Sequence, residues 1–279
     1  MIHIAGKNDI VQGELIFNKV NCDPRISYFL YIPNSLKKID KMLVAVHGIS
    51  RNALQQAEAY QPLAEQLGMP LIAPIFDQKN FSGFQTLCIG RKGLRADVML
   101  FKVFSEVKRQ LDTFNPAFHL IGYSGGAQFI HRFALGYPKS IHSMTLCSAG
   151  WYTFPDPDTR YPRGLSMEKI WPDYQPDLKA FLRVPLQIII GGEDVVQESS
   201  LNCRQSINRQ QGFNRLERAG NWHEAISDAK KQFGIESPIK MTILENQSHD
   251  FQQNIKESDM MSYIFEFISK RTSKNEADQ

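Results

Sequence analysis

Short apolar runs recur along the chain, separated by longer stretches in which apolar residues fall every three or four positions. The runs at 42–46, 70–75, 118–123, 141–147, 186–190 and 239–244 have the length and branched-aliphatic content of strands buried on both faces. Between them, helical spacing predicts helices over 52–67 and 94–111, after residue 124, and over 260–268. Such alternation is the signature of βαβ units and a mostly parallel, doubly wound sheet, an α/β fold. Two earlier stretches, 13–20 and 27–32, read as an antiparallel pair that opens the sheet. Within 94–111, Val98, Phe101, Val103, Phe104 and Val107 are expected to face it.

The alternation lapses between Gly150 and Pro185, where prolines and aromatic residues accumulate, Trp151, Tyr152, Phe154, Tyr161 and Trp171 among them. An irregular segment this long inside a compact domain is usually functional, so residues 151–178 are expected to form a cap-like insertion or pocket wall. After it, 199–232 reads as one or two helices broken at Gly212, with Leu216, Ala219, Trp222, Ala225, Ile226 and Ala229 turned inward. No repeat or linker divides the chain. One domain over 1–268 is expected, followed by a polar tail, 269–279, that frays.

Composition narrows the function little. The 279 residues suit one large α/β domain, and the 42% hydrophobic and 22% charged fractions are ordinary for a globular protein. With 32 basic against 29 acidic residues the net charge is only +3, so nucleic acid is not an expected partner. Cys22, Cys88, Cys147 and Cys203 are far apart, without metal-ligand spacing, and Cys147 reads as a buried reduced thiol. No apolar run approaches the ~20 residues needed to span a bilayer, and the start lacks the basic and apolar regions of a signal peptide. A cytoplasmic protein with no membrane partner is expected; nothing in the sequence reveals its oligomeric state.

The chemistry enters at Gly122-Tyr123-Ser124-Gly125-Gly126, which follows an apolar run and precedes a helical one. Strand, sharp turn and helix in that order are the setting in which Gly-x-Ser-x-Gly builds a nucleophile elbow. At average residue usage the pattern arises by chance in roughly one chain in ten of this length. It gains weight from three further features in order, each ending an apolar run: His47-Gly48-Ile49-Ser50, Glu193-Asp194 and His249.

A serine hydroxyl needs a base within hydrogen-bond reach and a third group to fix that base's tautomer. Ser124 is the candidate nucleophile. His249 follows a late strand in a loop and is the candidate base, with His223 in reserve; His131 and His142 fall in a helix and near a strand start. Asp194 ends an apolar run through Gly191-Gly192, which delivers its carboxylate to the same sheet edge, although it would also suit a helix N-cap. Glu193 and Asp250 are the outside alternatives. The oxyanion hole needs two N–H donors, expected from Gly125 and from Ile49, with Ser50 next in line and His47 bracing the loop.

With Ser124, Asp194 and His249 in that chain order, the sequence resembles the α/β-hydrolase superfamily over nearly its whole length. Its His-Gly loop and prolyl-aromatic insertion resemble the esterase branch that includes dienelactone hydrolases, feruloyl esterases and polyhydroxyalkanoate depolymerases. The resemblance implies a cofactor-free hydrolase that works through a serine acyl-enzyme. His47-Gly48-Ile49-Ser50 replaces the His-Gly-Gly-Gly loop of many lipases, so bulky tertiary esters are not expected substrates. The missing signal peptide likewise argues against a secreted polymer-degrading role.

The expected partner is thus a small or medium-sized ester, with Trp151, Tyr152 and Ser50 as candidate substrate contacts. Gly90-Arg91-Lys92-Gly93-Leu94-Arg95 gathers three cations, and Arg91 is the candidate for a substrate carboxylate, the other reading being a solvated basic loop. The same chemistry would serve a thioesterase or small peptidase. A non-catalytic binding protein that keeps the fold is the rival of a different class.

Overall fold

Lys41–Val46, the first of the continuous apolar runs, is buried at every position, which requires layers on both faces of its sheet. The computed structural model describes residues 3–4, 11–36, 39–88, 93–114, 116–167 and 174–272. Its strands are β1 (His3–Ile4), β2 (Leu15–Lys19), β3 (Ser27–Tyr31), β4 (Lys41–Val46), β5 (Leu71–Ile75), β6 (Ala117–Tyr123), β7 (Ile141–Cys147), β8 (Leu186–Gly191) and β9 (Ile239–Leu244). They form one sheet in the order β1-β2-β3-β5-β4-β6-β7-β8-β9. β3 runs antiparallel to both β2 and β5, and the other pairings are parallel.

Among the described residues, eight α-helices complete the layers: α1 (Ala53–Leu67), α2 (Ala96–Gln110), α3 (Gly125–Gly136), α4 (Leu178–Phe181), α5 (Gln205–Gln211), α6 (Arg215–Phe233), α7 (Phe251–Glu257) and α8 (Met260–Thr272). Alternation along the strands sorts the core into two halves. Met42, Val44 and Val46 pack with α2, α3 and α6, whereas Leu43 and Ala45 pack with α1 and α8. This is the α/β sandwich that the period of the apolar runs predicts.

Several expectations are corrected. In α2 the buried apolar set is Ala96, Met99, Leu100, Val103, Phe104 and Val107, and Val98 is 37% exposed. Spacing explains it: 96, 100, 103 and 107 share one side of a 3.6-residue helix, and 98 lies round the far side. α7 is an additional short helix, capped by the Asp250 carboxylate, which accepts from Gln253 N–H at 2.9 Å. α8 continues to Thr272, so residues 269–272 belong to a helix and not to a frayed tail; residues 273–279 lie outside the described set.

The insertion after Gly150 is tied to the helices beneath it. Tyr152 is fully buried and stacks on Trp222, ring centroids 4.6 Å apart. Trp222 Nε1–H donates to Thr153 O at 2.8 Å, and Tyr174 O–H donates to Arg132 O at 2.7 Å. Its described parts therefore form a packed wall against α3 and α6. Trp171 lies outside the described residues.

Candidate active site

Strand order reverses between β4 and β6: the chain leaves β4 towards β5 on one side and β6 towards β7 on the other. Such a switch point opens a crevice at the carboxyl ends of the strands. Two loops meet there, the one after β4 carrying His47 to Asn52 and the turn after β6 carrying Ser124.

The turn is tight. Ser124 has φ 53° and ψ −111°, a conformation that costs a non-glycine residue of order 1–3 kcal/mol and is held by its surroundings. Its N–H donates to Cys147 O at 2.8 Å, which ties the turn to β7. Glycine is obligatory on both sides: a Cβ at Gly122 would lie 2.5 Å from the Gly126 carbonyl carbon, and one at Gly126 would lie 1.8 Å from Val46 O. Because α3 begins at Gly125, that residue's N–H has no acceptor within the helix and sits at the positive end of its dipole.

Three sequence-distant side chains meet at this point. Ser124 Oγ lies 3.1 Å from His249 Nε2, and His249 Nδ1 lies 2.8 Å from Asp194 Oδ2. The carboxylate fixes the tautomer: Nδ1–H donates to Asp194, leaving Nε2 to accept the serine proton. Asp194 is almost wholly buried, and its second oxygen accepts from Arg215 Nη1 at 3.0 Å. Arg215 in turn donates from Nη2 to Ser200 Oγ at 2.7 Å. The carboxylate thus binds the imidazole and a guanidinium and does not cap a helix.

The loop after β4 supplies the opposite side. Gly48 is against Ser124, where an added Cβ would stand 3.5 Å from the serine Cβ, and Ile49 N is 3.1 Å from the corresponding position on Gly125. Ile49 N therefore lies close to Gly125, the residue that follows Ser124. His47 is fully buried: its Nδ1–H donates to Gly48 O at 2.8 Å and its Nε2 accepts from Phe76 N–H at 3.0 Å. Burial pulls its pKa down to about 4, so it braces the loop as a neutral ring.

Two cavities flank Ser124. One, of about 160 Å³, is lined by Gln85, Gln128, Trp151, Asn202 and Arg215. The other, of about 350 Å³, is more open and is lined by Ser50, Asn52, Gln55, His249 and Gln252. Ile49, Ser124 and Ser200 border both. Among the described residues, no group of three or more His, Cys, Asp or Glu side chains is placed to hold a metal ion.

Of the expected substrate contacts, Trp151 lines the smaller cavity and Ser50 the larger. Tyr152 does neither, because its stacking on Trp222 turns it into the core behind Trp151; this corrects the expectation. Arg91 lies outside the described residues, and Arg95 from the same basic stretch is ion-paired with the buried Asp97. The reserve base His223 is half-buried on α6 and lines neither cavity, and Glu193 is exposed.

The residues that sequence reasoning missed are arginines. Arg215 and Arg218 continue the inward stripe of α6 towards its N-terminus at helical spacing, and Arg132 lies two turns beyond Ser124 on α3. The spacing carried that signal. Their charge masked it, since arginine is seldom fully buried.

No family model and no curated protein matches the sequence. Solved structures do match. Poly(aspartic acid) hydrolase-1 from Sphingomonas sp. KT-1 superposes with a TM-score of 0.72 at 23% identity, covering 86% of this chain and 92% of its own. LpqC, a poly(3-hydroxybutyrate) depolymerase from Bordetella parapertussis, gives 0.72 at 22% identity, covering 88% of each chain. An S-formylglutathione hydrolase from Agrobacterium tumefaciens gives 0.58 at 13% identity, covering 89% of each. Together with the strand order and the turn at Ser124, these likenesses show that the chain has the α/β-hydrolase fold.

Proposed function

We propose that the protein is a serine-dependent carboxylic ester hydrolase. The observation that carries this reading is the continuous chain Ser124 Oγ, His249, Asp194, with links of 3.1 and 2.8 Å, at a strained turn between two cavities. A binding protein would have no chemical need for that arrangement. The similar structures, named for hydrolase and depolymerase activities, point the same way.

In the proposed reaction Ser124 Oγ attacks the ester carbonyl carbon while its proton passes to His249 Nε2. The carbonyl oxygen becomes an oxyanion between the N–H groups of Ile49 and Gly125, each donor contributing about 3 kcal/mol of transition-state stabilisation. Asp194 stabilises the imidazolium. Collapse breaks the bond to the alkoxy oxygen, which takes the proton from His249 and leaves as an alcohol. Water then attacks the acyl-enzyme, giving its proton to His249, and the carboxylic acid departs as Ser124 regains its hydrogen. Since His249 must reach the leaving oxygen, the alcohol occupies the larger cavity that it lines, and the acyl group occupies the smaller one.

A fluorophosphonate probe tests the reading. Labelling of the wild-type protein, absent from Ser124→Ala, together with hydrolysis of simple esters is the expected result. An unlabelled wild type that binds esters without cleaving them would favour a binding protein.

A further inference from the structure

The wall of the smaller cavity is built over buried positive charge. Arg215 lines it directly with only 2% of its side chain exposed, and its Nε has no hydrogen-bond partner among the described residues. Arg132 lies fully buried beneath it, 4.2 Å from the centre of the Trp151 ring. It donates to Thr153 Oγ1 and to the carbonyls of Gln85 and Gln128, while its Nη2 is unpartnered. Arg218, also fully buried, donates to the carbonyls of Gly150 and Asn202, two further residues of the wall.

Charge does not balance here. Among the described residues Arg132 and Arg218 bond only to neutral oxygens, and the carboxylate of Asp194 is shared with His249. Glu198 stands 4.0 Å from Arg215 on the half-exposed rim. Buried charges are ordinarily paired, because desolvation without a counter-ion is expensive. Gln85, Gln128 and Asn202 add amide groups to the same wall.

Resting on the esterase reading, we propose that this cavity receives an anionic acyl group, so that the substrate is an ester whose acyl part carries a second carboxylate. The anion supplies the charge that the buried arginines lack, and the side-chain amides of Gln85, Gln128 and Asn202 that line the cavity can donate to its oxygens. The cavity, of about 160 Å³, is the smaller of the two beside Ser124. A short dicarboxylic acyl group such as succinyl suits the smaller cavity. The positive wall is the one beside Arg215, and the basic stretch around Arg91 is not needed for it.

The test compares monoethyl succinate with ethyl 4-oxopentanoate, a neutral near-isostere, by proton release at constant pH. Wild-type protein should favour the hemiester at least tenfold in kcat/KM, and succinate should slow fluorophosphonate labelling where succinamide does not. Asn202→Asp, which places a like charge in the cavity at constant size, should reduce the preference at least tenfold. Equal or better use of the neutral ester, or no protection by succinate, overturns the inference while leaving the esterase reading intact. If neither ester is cleaved and Ser124 is not labelled, both fall together.

Discussion

Arg215 Nη1 and Asp194 Oδ1 form a 3.0 Å ion pair directly behind His249, with both side chains almost wholly buried. Its partner oxygen holds the imidazole, so one carboxylate is fixed from two sides by residues 55 and 21 positions away. Removing the guanidinium leaves a buried charge half-compensated. Arg215→Met is expected to cost about 3–5 kcal/mol of stability in urea denaturation. Arg215→Lys should cost less yet still lower kcat, because a single ammonium cannot bridge Asp194 and Ser200 as the fork does. Equal effects of the two replacements would show that the geometry of the guanidinium fork, and not its charge, is what matters.

On the proposed mechanism, Ser124→Ala or His249→Ala should reduce ester turnover by about 10⁴-fold or more, with a smaller loss for Asp194→Asn. Steady-state rates on a simple aryl ester measure this. Near-normal activity in His249→Ala would remove that residue from the base role.

Gly126→Ala addresses the turn itself. The added methyl would meet Val46 O at 1.8 Å, a backbone atom of a central strand that cannot withdraw. We expect a loss of at least about 3 kcal/mol, or failure to accumulate folded protein. Full stability with retained labelling of Ser124 would contradict the described elbow.

Buried histidines set the acid side of the stability profile. Burial lowers the pKa of His47 to about 4, of His119 to about 3, and of His131 well below the ordinary 6.5. Between those values and 6.5 the unfolded chain takes up protons that the folded chain does not. Stability from this source is complete above pH 6.5 and declines as pH falls towards 4, by about 1.4 kcal/mol per pH unit for each such histidine. Denaturation midpoints at pH 7 and pH 5 should show the fall. His119→Asn, far from Ser124 on β6, should make it shallower; an unchanged difference would exclude His119 as a contributor.

Much of the architecture was legible because strands buried on both faces must be apolar throughout. That constraint located β4 to β8 to within one or two residues of their observed ends, whereas β9, whose apolar run also matches its ends, is an edge strand buried only at Leu244. Local rules failed where neighbours decide. Val98 is apolar but faces outward because Met99 and Leu100 complete a better stripe, and α7 is a seven-residue helix whose pattern is too short to read. Tyr152 and Trp151 are adjacent aromatic residues, and only the position of Trp222 determines that one enters the core and the other the cavity.

What the sequence by itself determined is a βαβ alternation, a Gly-x-Ser-x-Gly turn between strand and helix, and an ordered set of residue types able to serve as nucleophile, acid and base. Each follows from local constraints: the period of burial, the steric demand of a tight turn and intrinsic side-chain chemistry. Tertiary structure alone decided that Ser124, Asp194 and His249 meet, that Arg215 stands behind them, and that Arg132 and Arg218 lie beneath the smaller cavity. Those contacts join residues tens of positions apart, and whether a charged side chain is buried depends on the partners that folding brings to it.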